Sequence, residues 1–426
     1  MKELYDIFKQ SAAVSIDTRS IQKGDLFFCL KGDRFDGNKF AKQALTAGAS
    51  CVVLDNPECY TDRESMILVD DSLKTLQELA TYHRQQLRIP IIGITGTNGK
   101  TTTKELIAAV LSTHFQCLST NGNFNNHIGV PLTLLRIKEE HEMAVIEMGA
   151  NHVGEIDALC EIAKPNLGII TNIGRAHLEG FGSFENIIET KVALYQAVEK
   201  AGGMLMVNSD DELLMEKSNA IRRETYGAFS KAKVKVDLEI SSGSLHLVWE
   251  GKFIHTKLFG DYNLYNVAAA IAFGVHFNVP EKHIIQALEQ YTPSNNRSQF
   301  EKGIHNELIL DAYNANPDSV QNALAFFGKD RTEKKALILG DMLELGEYED
   351  AEHKAVLEAV QQLDIDRVFI VGPIFYRQKI GFPDFLFFKD NMEALAYFTK
   401  NKLKNYRILL KGSRGIRLEV LKDELL

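Results

Sequence analysis

One stretch constrains this chain more than any other: Ile91-Ile92-Gly93-Ile94-Thr95-Gly96-Thr97-Asn98-Gly99-Lys100-Thr101-Thr102-Thr103. A short β-branched run ends in a glycine-rich turn. Lys-Thr follows at once, and a helical pattern continues through Leu106, Ala109 and Val110. Strand, loop and helix in that order are the context a phosphate-binding loop needs. Glycines let the backbone curl so that successive N–H groups point at phosphate oxygens. The helix N-terminus adds partial positive charge. The expected phosphate cradle is Gly96, Thr97, Asn98, Gly99 and Thr102, with Lys100 reaching the terminal phosphates and the Thr101 hydroxyl on Mg²⁺. The general pattern G-x-x-x-x-G-K-[ST] has glycine where this chain has Ile94; its glycines fall at 93 and 96.

A chain of 426 residues accommodates about two to four domains. Pattern changes divide it at Arg88-Ile89-Pro90 and at Thr292-Pro293-Ser294-Asn295-Asn296, giving blocks 1–87, 88–293 and 294–426. The first block alternates strand-like runs, such as Leu26 to Leu30 and Cys51 to Leu54, with helical ones at Phe40 to Ala47 and Leu73 to Leu87. In the second, strands at Ala144 to Met148 and Leu167 to Asn172 flank the loop. An amphipathic helix spans Ser183 to Lys200, and from Met204 to Leu258 the alternation predicts an antiparallel extension with turns at Ser242-Gly243 and Glu250-Gly251. The third block repeats strand then helix, which predicts a parallel sheet covered on both faces, with ligands beyond the strand ends near Asp311, Asp341 and Lys411. The expected fold class is α/β in three domains: a small N-terminal one, a central P-loop ATPase-like one with a parallel sheet plus antiparallel extension, and a Rossmann-like C-terminal one.

A net charge of −9 argues against coating nucleic acid, though an anionic small substrate remains compatible through local cations. Five cysteines without C-x-x-C spacing indicate neither a disulfide framework nor a zinc knuckle, and a reducing cytosol fits. The N-terminus carries early acids and no apolar core of a signal peptide, and no run approaches a membrane span. Glu147 ends an apolar strand after the loop, where P-loop folds place an acid on Mg²⁺. His177 and Lys191, taken alone, read as a structural histidine and a solvated helix lysine.

Together, Gly96-Thr-Asn-Gly-Lys-Thr-Thr102, Glu147-Met-Gly-Ala-Asn151, Thr171-Asn-Ile-Gly-Arg-Ala-His177 and Glu189-Thr-Lys191 resemble, in order, the motifs of the Mur ligases, the ATP-dependent amide-bond-forming enzymes of peptidoglycan synthesis. The family's G-T-[NS]-G-K-[TS] motif accounts for Ile94. Asp17-Thr-Arg19, Leu30-Lys-Gly-Asp-Arg-Phe-Asp-Gly37, Gly122-Asn-Phe-Asn-Asn126, Asp311-Ala-Tyr-Asn-Ala-Asn-Pro317, Gly340-Asp-Met-Leu-Glu-Leu-Gly346 and Lys411-Gly-Ser-Arg414 are similar to the branch that adds a dipeptide.

The resemblance implies a monomer that uses ATP and Mg²⁺, with UDP-N-acetylmuramoyl-tripeptide and D-alanyl-D-alanine as substrates. Lys100 and the loop amides would bind ATP phosphates, Thr101 and Glu147 one Mg²⁺, and His177 with a carbamylated Lys191 a second. Asn263, Asn266, Arg297, Asp311 and Tyr313 resemble nucleotide contacts, although Gly260-Asp-Tyr-Asn263 departs from the family's Gly-x-His-Asn. Thr18, Arg19, Lys31 and Gly32 resemble the uridine-diphosphate site. Asn125 and Asn126 match the muramoyl-peptide cleft, and Asn314, Asn316, Lys411 and Ser413 fall in substrate-side stretches. Hinges near 88 and 294 would let the blocks converge. The rivals are another ligase of the superfamily (a third-residue-adding Mur ligase or a folylpolyglutamate synthase) and a nucleotide-dependent binding protein.

Overall fold

The computed structural model describes residues 1–426 apart from 33–34, 240–243, 294–296 and 331. Three principal sheets follow one another along the chain. The first has four parallel strands in the order Val14–Ser15, Leu26–Phe28, Cys51–Leu54, Met66–Leu68. Its two inner strands are continuous apolar runs because helices and loops cover both faces.

The second sheet has nine strands, and the loop-bearing strand Ile91–Thr95 lies between Leu167–Ile170 and Met143–Glu147. All three are fully buried. The expected antiparallel extension begins later than the sequence pattern suggests. Met204–Asn208, Arg223–Gly227 and Val234–Glu239 continue the parallel order, and only Val234–Glu239 with Ser244–Trp249 and Lys252–Phe259 pair antiparallel. Alternation reports which face a residue takes and not which way its neighbour runs. The turn at Glu250-Gly251 has φ of +50° and +72°, as a tight hairpin requires. The turn at Ser242-Gly243 lies outside the described residues, as do Ser294 to Asn296 of the linker and Asp33-Arg34.

The third sheet runs Gln299–Lys302, Glu307–Asp311, Arg407–Lys411, Lys335–Gly340, Arg367–Val371, Leu386–Phe388. It is parallel except for its first strand, an antiparallel edge that periodicity does not mark. The helix Lys2–Gln10, absent from the sequence reading, carries Leu4, Ile7 and Phe8 at i, i+3 and i+4 and buries Leu4 and Phe8.

The first two regions share one core. Leu76, Leu79 and Ala80 of helix Ser72–Gln86 belong to the same buried cluster as Leu132, Leu134, Leu159 and Ile162. Polar contacts pin the joint. Arg84 donates to the carbonyls of Ala163 (2.9 Å) and Lys164 (3.0 Å) at the C-terminal end of helix Glu155–Ala163, and to Leu87 (3.0 Å). It satisfies carbonyls that have no helical partner and faces the negative end of the helix dipole. His83 Nε2 lies 2.9 Å from the Ile137 carbonyl and Nδ1 3.1 Å from the Tyr5 hydroxyl. A carbonyl only accepts, so Nε2 carries the proton and Nδ1 accepts from Tyr5. Arg84→Ala should therefore weaken this joint by roughly 2 kcal/mol, the cost of stranding buried carbonyls. Hydrogen exchange should quicken in helices Ser72–Gln86 and Glu155–Ala163 and stay unchanged in the third sheet. Wild-type exchange in both helices would show that the joint does not depend on Arg84.

Candidate active site

Strand Ile91–Thr95 stops at Gly96, whose φ of +147° belongs to glycine. A Cβ there would lie 1.9 Å from Thr171 Oγ1, so no side chain fits. Gly99, at φ +79°, opens helix Lys100–Leu111 and faces Asn266 Oδ1 at 2.6 Å from a hypothetical Cβ. The loop is held from the neighbouring strand end. Asn98 N–H donates to Asn172 Oδ1 (3.0 Å), Asn172 Nδ2 and Thr171 Oγ1 donate to Asn98 O (2.9 and 2.6 Å), and Thr97 N–H donates to Asn172 O (3.0 Å). Lys100 curls back, its ammonium donating to the carbonyls of Gly96 (2.7 Å) and Thr97 (3.0 Å).

Glu147, 1% exposed, ends strand Met143–Glu147. Its Oε1 accepts from Thr101 Oγ1 (3.1 Å) and Asn125 Nδ2 (2.8 Å). Its Oε2 has no hydrogen-bond partner; the nearest cation is Lys104 Nζ, 3.8 Å away. Lys104 is itself 1% exposed and donates to Thr120 O at 2.8 Å. Burial lowers its pKa against the pull of Glu147 and Glu105. Sequence reasoning missed Lys104, because helix lysines ordinarily face water. Burial also takes Lys100 down to about 8, with Glu147 opposing and Arg297 reinforcing the shift.

Lys191 is buried on helix Phe184–Lys200. Among the described residues its ammonium has no ion-pair or hydrogen-bond partner in evidence; the Phe181 ring lies 5.9 Å away. Burial, then Lys100, brings its pKa down to about 7. His177 sits at φ +53° and pairs through Nδ1 with Glu344.

The third region closes over this loop through its own strand and helix ends. Asn316 caps helix Pro317–Lys329 in a capping box with Ser319, and its Nδ2 donates to Asn98 Oδ1 at 2.8 Å. Asp318 Oδ2 accepts from Arg175 N–H at 3.0 Å. Arg297 stacks on Tyr313 at 3.7 Å, while Asp311 pairs with Lys411 at 2.6 Å. Asn263 donates to Phe259 O, Asn266 donates to Asn263 Oδ1, and Thr103 donates to Asn266 Oδ1.

A cavity of about 1340 Å³ joins these groups. Residues Thr97 to Thr102 of the phosphate loop, Glu147, His177, Asn125, Asn126, Asn263, Asn266, Arg297, Asp311, Tyr313, Asn314 and Lys411 line it; Gly96 does not. Some expected residues lie elsewhere. The Ser413 hydroxyl accepts from Leu343 N–H and does not line the cavity. Asp341 is a structural acid and not a ligand-facing one: wholly buried, it accepts from the backbone N–H groups of Ile374 and Phe375, and burial raises it to about 6. Thr18, Arg19, Lys31 and Gly32 are away from the cavity in the first region. There Arg19 pairs with Asp17 at 2.6 Å and Lys31 with Asp55 at 2.8 Å. The cavity reaches that region through Gln77. Glu344, within the Gly340–Gly346 stretch, and Asp318, just after Pro317, meet His177 and Arg175 across the joint, contacts that sequence reasoning did not assign to either acid.

Family models match along nearly the whole chain: Mur ligase family, catalytic domain over 11–84, Mur ligase middle domain over 94–274, and Mur ligase, glutamate ligase domain over 296–414. A Bacillus subtilis protein named UDP-N-acetylmuramoyl-tripeptide–D-alanyl-D-alanine ligase is 36% identical, covering 96% of this chain and 92% of its own. MurF from Acinetobacter baumannii superimposes with a TM-score of 0.88 at 30% identity, covering 100% of this chain and 98% of that one. MurF ligase from Thermotoga maritima in complex with ADP gives 0.84 at 27% identity, covering 98% and 97%.

The state of Lys191 has a thermodynamic signature. Its pKa is about 7 in the folded protein against an ordinary 10.5. Between those values the unfolded chain holds a proton that the folded one does not, so stability rises with pH across this window and the full penalty applies below about 7. In CO₂-depleted buffer, Lys191→Met should stabilise the protein by a few kcal/mol, order of magnitude, at pH 6 and by little near pH 10. Thermal melts across pH read the difference. A stabilisation independent of pH would show that Lys191 does not titrate in this way.

Proposed function

The chain belongs to the Mur ligase family, and from that premise we propose that it joins D-alanyl-D-alanine to UDP-N-acetylmuramoyl-tripeptide, converting ATP to ADP and phosphate. The observation that carries the reading is one cavity with three walls: the phosphate loop and Glu147, the Asn125-Asn126 stretch, and Arg297, Tyr313 and Asn314 of the third region. Its volume exceeds what a single drug-sized ligand needs, which suits a site for several substrates. Among the described residues no helix is long and apolar enough to cross a membrane. The reading is of a cytoplasmic monomer.

A carboxylate is a poor electrophile at neutral pH. Transfer of the γ-phosphoryl group to the tripeptide carboxylate gives an acyl phosphate and releases ADP. The dipeptide amine then attacks the acyl carbon, the C–N bond forms, phosphate leaves and the amine loses a proton. The loop N–H groups and the start of helix Lys100–Leu111 hold phosphate oxygens. Lys100 exchanges its bonds to the Gly96 and Thr97 carbonyls for phosphate. Asn316, by fixing Asn98, sets the loop's outer edge against the third region. Asn263 and Asn266 buttress Gly99 from behind, and Thr18, Arg19, Lys31 and Gly32 remain candidates for the uridine-diphosphate end.

Mg²⁺ fits the first candidate position. Thr101 and Glu147 would hold it, because Glu147 Oε2 is a buried carboxylate oxygen without a hydrogen-bond donor. Among the described residues no group of three or more His, Cys, Asp or Glu side chains could hold a metal ion, consistent with an ion that keeps waters and substrate phosphates. Lys191 does not line the cavity that His177 lines, and a second ion held by both would require Lys191 to change sign. An amine near pKa 7 is substantially neutral at working pH and reacts with CO₂; the N–C bond forms, a proton leaves, and a carbamate carboxylate results. The bound ions would offset charge on the transferring phosphoryl group.

Mass spectrometry of a mixture with ATP, UDP-N-acetylmuramoyl-tripeptide and D-alanyl-D-alanine should show the dipeptide adduct, with phosphate release dependent on both acceptor and dipeptide. Phosphate release without either would favour the binding-protein rival. For Lys191, the alanine variant should be nearly inactive and partly restored by short-chain carboxylic acids. Rescue by small amines alone, with no dependence on CO₂ in the wild type, would sink the carbamate.

A further inference from the structure

Lys104 is a buried cation with no part in the reaction steps. It stands one helical turn after Lys100 on helix Lys100–Leu111, the i to i+4 spacing that puts two side chains on one face. Lys100 lines the cavity and Lys104 does not, so a ligand in the cleft meets the first lysine and not the second. At 1% exposure a lysine is a costly space-filler, since a methionine would fill the same volume without desolvating a charge.

The chain surrounds this ammonium with acceptors. It donates to Thr120 O at 2.8 Å and lies 3.8 Å from both Glu105 Oε1 and Glu147 Oε2. Thr120 also fixes the second acid, because its hydroxyl accepts from Glu147 N–H at 3.0 Å. One threonine thus holds lysine and carboxylate in a set relation. Glu105 is anchored through its other oxygen, which accepts from the Tyr291 hydroxyl at 2.6 Å.

The 3.8 Å separation decides what Lys104 does. A lysine that served only to neutralise a buried carboxylate would bond it at about 2.7–2.9 Å. Here the charge is opposed while Oε2 accepts no hydrogen bond, although it is buried. The other oxygen is held by Thr101 and Asn125. A hard cation can join Oε2 without displacing a donor, but only against a resident positive charge. Phosphate oxygens brought to the loop by a nucleotide would offset that repulsion. A bare ion brings nothing to offset it.

Resting on the ATP-dependent reading above, we propose that Lys104 is a resident counter-cation for Glu147 that makes metal binding conditional on nucleotide. It balances the carboxylate when no ion is bound and opposes an ion that arrives without phosphate. It acts through Glu147 and touches neither substrate nor metal, so it is a positioning residue.

The probe is Mn²⁺, followed by its paramagnetic resonance signal in titrations of the full chain with and without ADP. In wild type, Mn²⁺ alone should bind weakly and ADP should strengthen it. Lys104→Met keeps an unbranched side chain and removes the charge. It should tighten nucleotide-free Mn²⁺ binding by about tenfold or more, the scale on which one neighbouring charge shifts an ionic equilibrium, and tighten binding with ADP by less. The gain should recur in Lys104→Gln and vanish in Lys104→Met combined with Glu147→Gln. A merely structural lysine predicts a lower melting temperature with Mn²⁺ affinity unchanged or weaker. Nucleotide-free affinity in folded Lys104→Met no tighter than wild type, or a gain that survives Glu147→Gln, would overturn the proposal. Should neither single variant fold, wild-type melts decide. Mg²⁺ alone should leave the melting temperature unmoved, and Mg²⁺ with ADP should raise it by more than ADP alone. A rise with Mg²⁺ alone as large as with both overturns the proposal and leaves the ligase reading intact. A wild-type protein that responds to no combination overturns the ligase reading, and this inference with it.

Discussion

The site depends on how the chain compensates one buried carboxylate. A charge at the end of a fully buried strand is costly unless its oxygens are met. Glu147 meets this asymmetrically. Oε1 takes two donors, from Thr101 at the start of the phosphate-loop helix and from Asn125 across the cleft. Oε2 takes none and faces Lys104 at 3.8 Å. The first oxygen organises protein: it ties the loop helix to the Asn125 stretch, whose carbonyl in turn accepts from Gly149 N–H at 2.8 Å. The second is left with charge and without a donor, the condition in which a hard cation gains most. One side chain thus serves as both keystone and ligand candidate.

The two joints of the chain differ in kind. The first region shares an apolar core with the second, and buried Arg84 and His83 reinforce it. The third region keeps separate cores, to which the second contributes Phe259. Its contacts over the loop are polar: Asn316 to Asn98, Asp318 to Arg175, Glu344 to His177. Burying or exposing an apolar core is costly, whereas polar contacts exchange readily for water. Of the hinges expected near 88 and 294, the packing opposes motion at the first. The polar contacts of the second would yield more readily, as the proposed closure there requires.

The sequence makes local order legible and leaves long-range pairing hidden. Strand Ile91–Thr95, its loop and its helix stand out because glycine placement, apolar run and helical spacing all lie within a dozen or so residues. The five parallel strands of the third sheet are legible for the same reason. Strand direction between Met204 and Val234 is not, since apolar alternation is identical for parallel and antiparallel neighbours. Asp341 illustrates a further limit. An acid at a parallel strand's end suggests a ligand, yet here Gly372 brings the following helix so close that a Cβ would stand 2.3 Å from its carboxyl carbon, and the acid is spent on backbone N–H groups. Lys104 shows the opposite limit: a helix lysine ordinarily faces water, and only the fold sets it beside Glu147, 3.8 Å away.

The same fold explains how an acidic chain prepares for polyanionic ligands. Its net charge of −9 reaches into the cleft, whose lining includes nine Asp and Glu side chains, but around Glu147 stand Lys100 and Lys104, with Arg297 and Lys191 acting on Lys100 in turn. Cations so placed repel each other and lose hydration, so the protein discharges some of them, with Lys100 near 8 and Lys191 near 7. A triphosphate arriving at the loop favours the protonated form of Lys100 and relieves its desolvation. Lys191 lies one layer deeper and gains no counter-ion in the protein alone. Neutral, it is a nucleophile; carrying a carboxylate, it would balance the cations around it. Phosphate oxygens at the loop would pair with Lys100, and a carboxylate carried on Lys191 would turn the cation that opposes Lys100 into an anion.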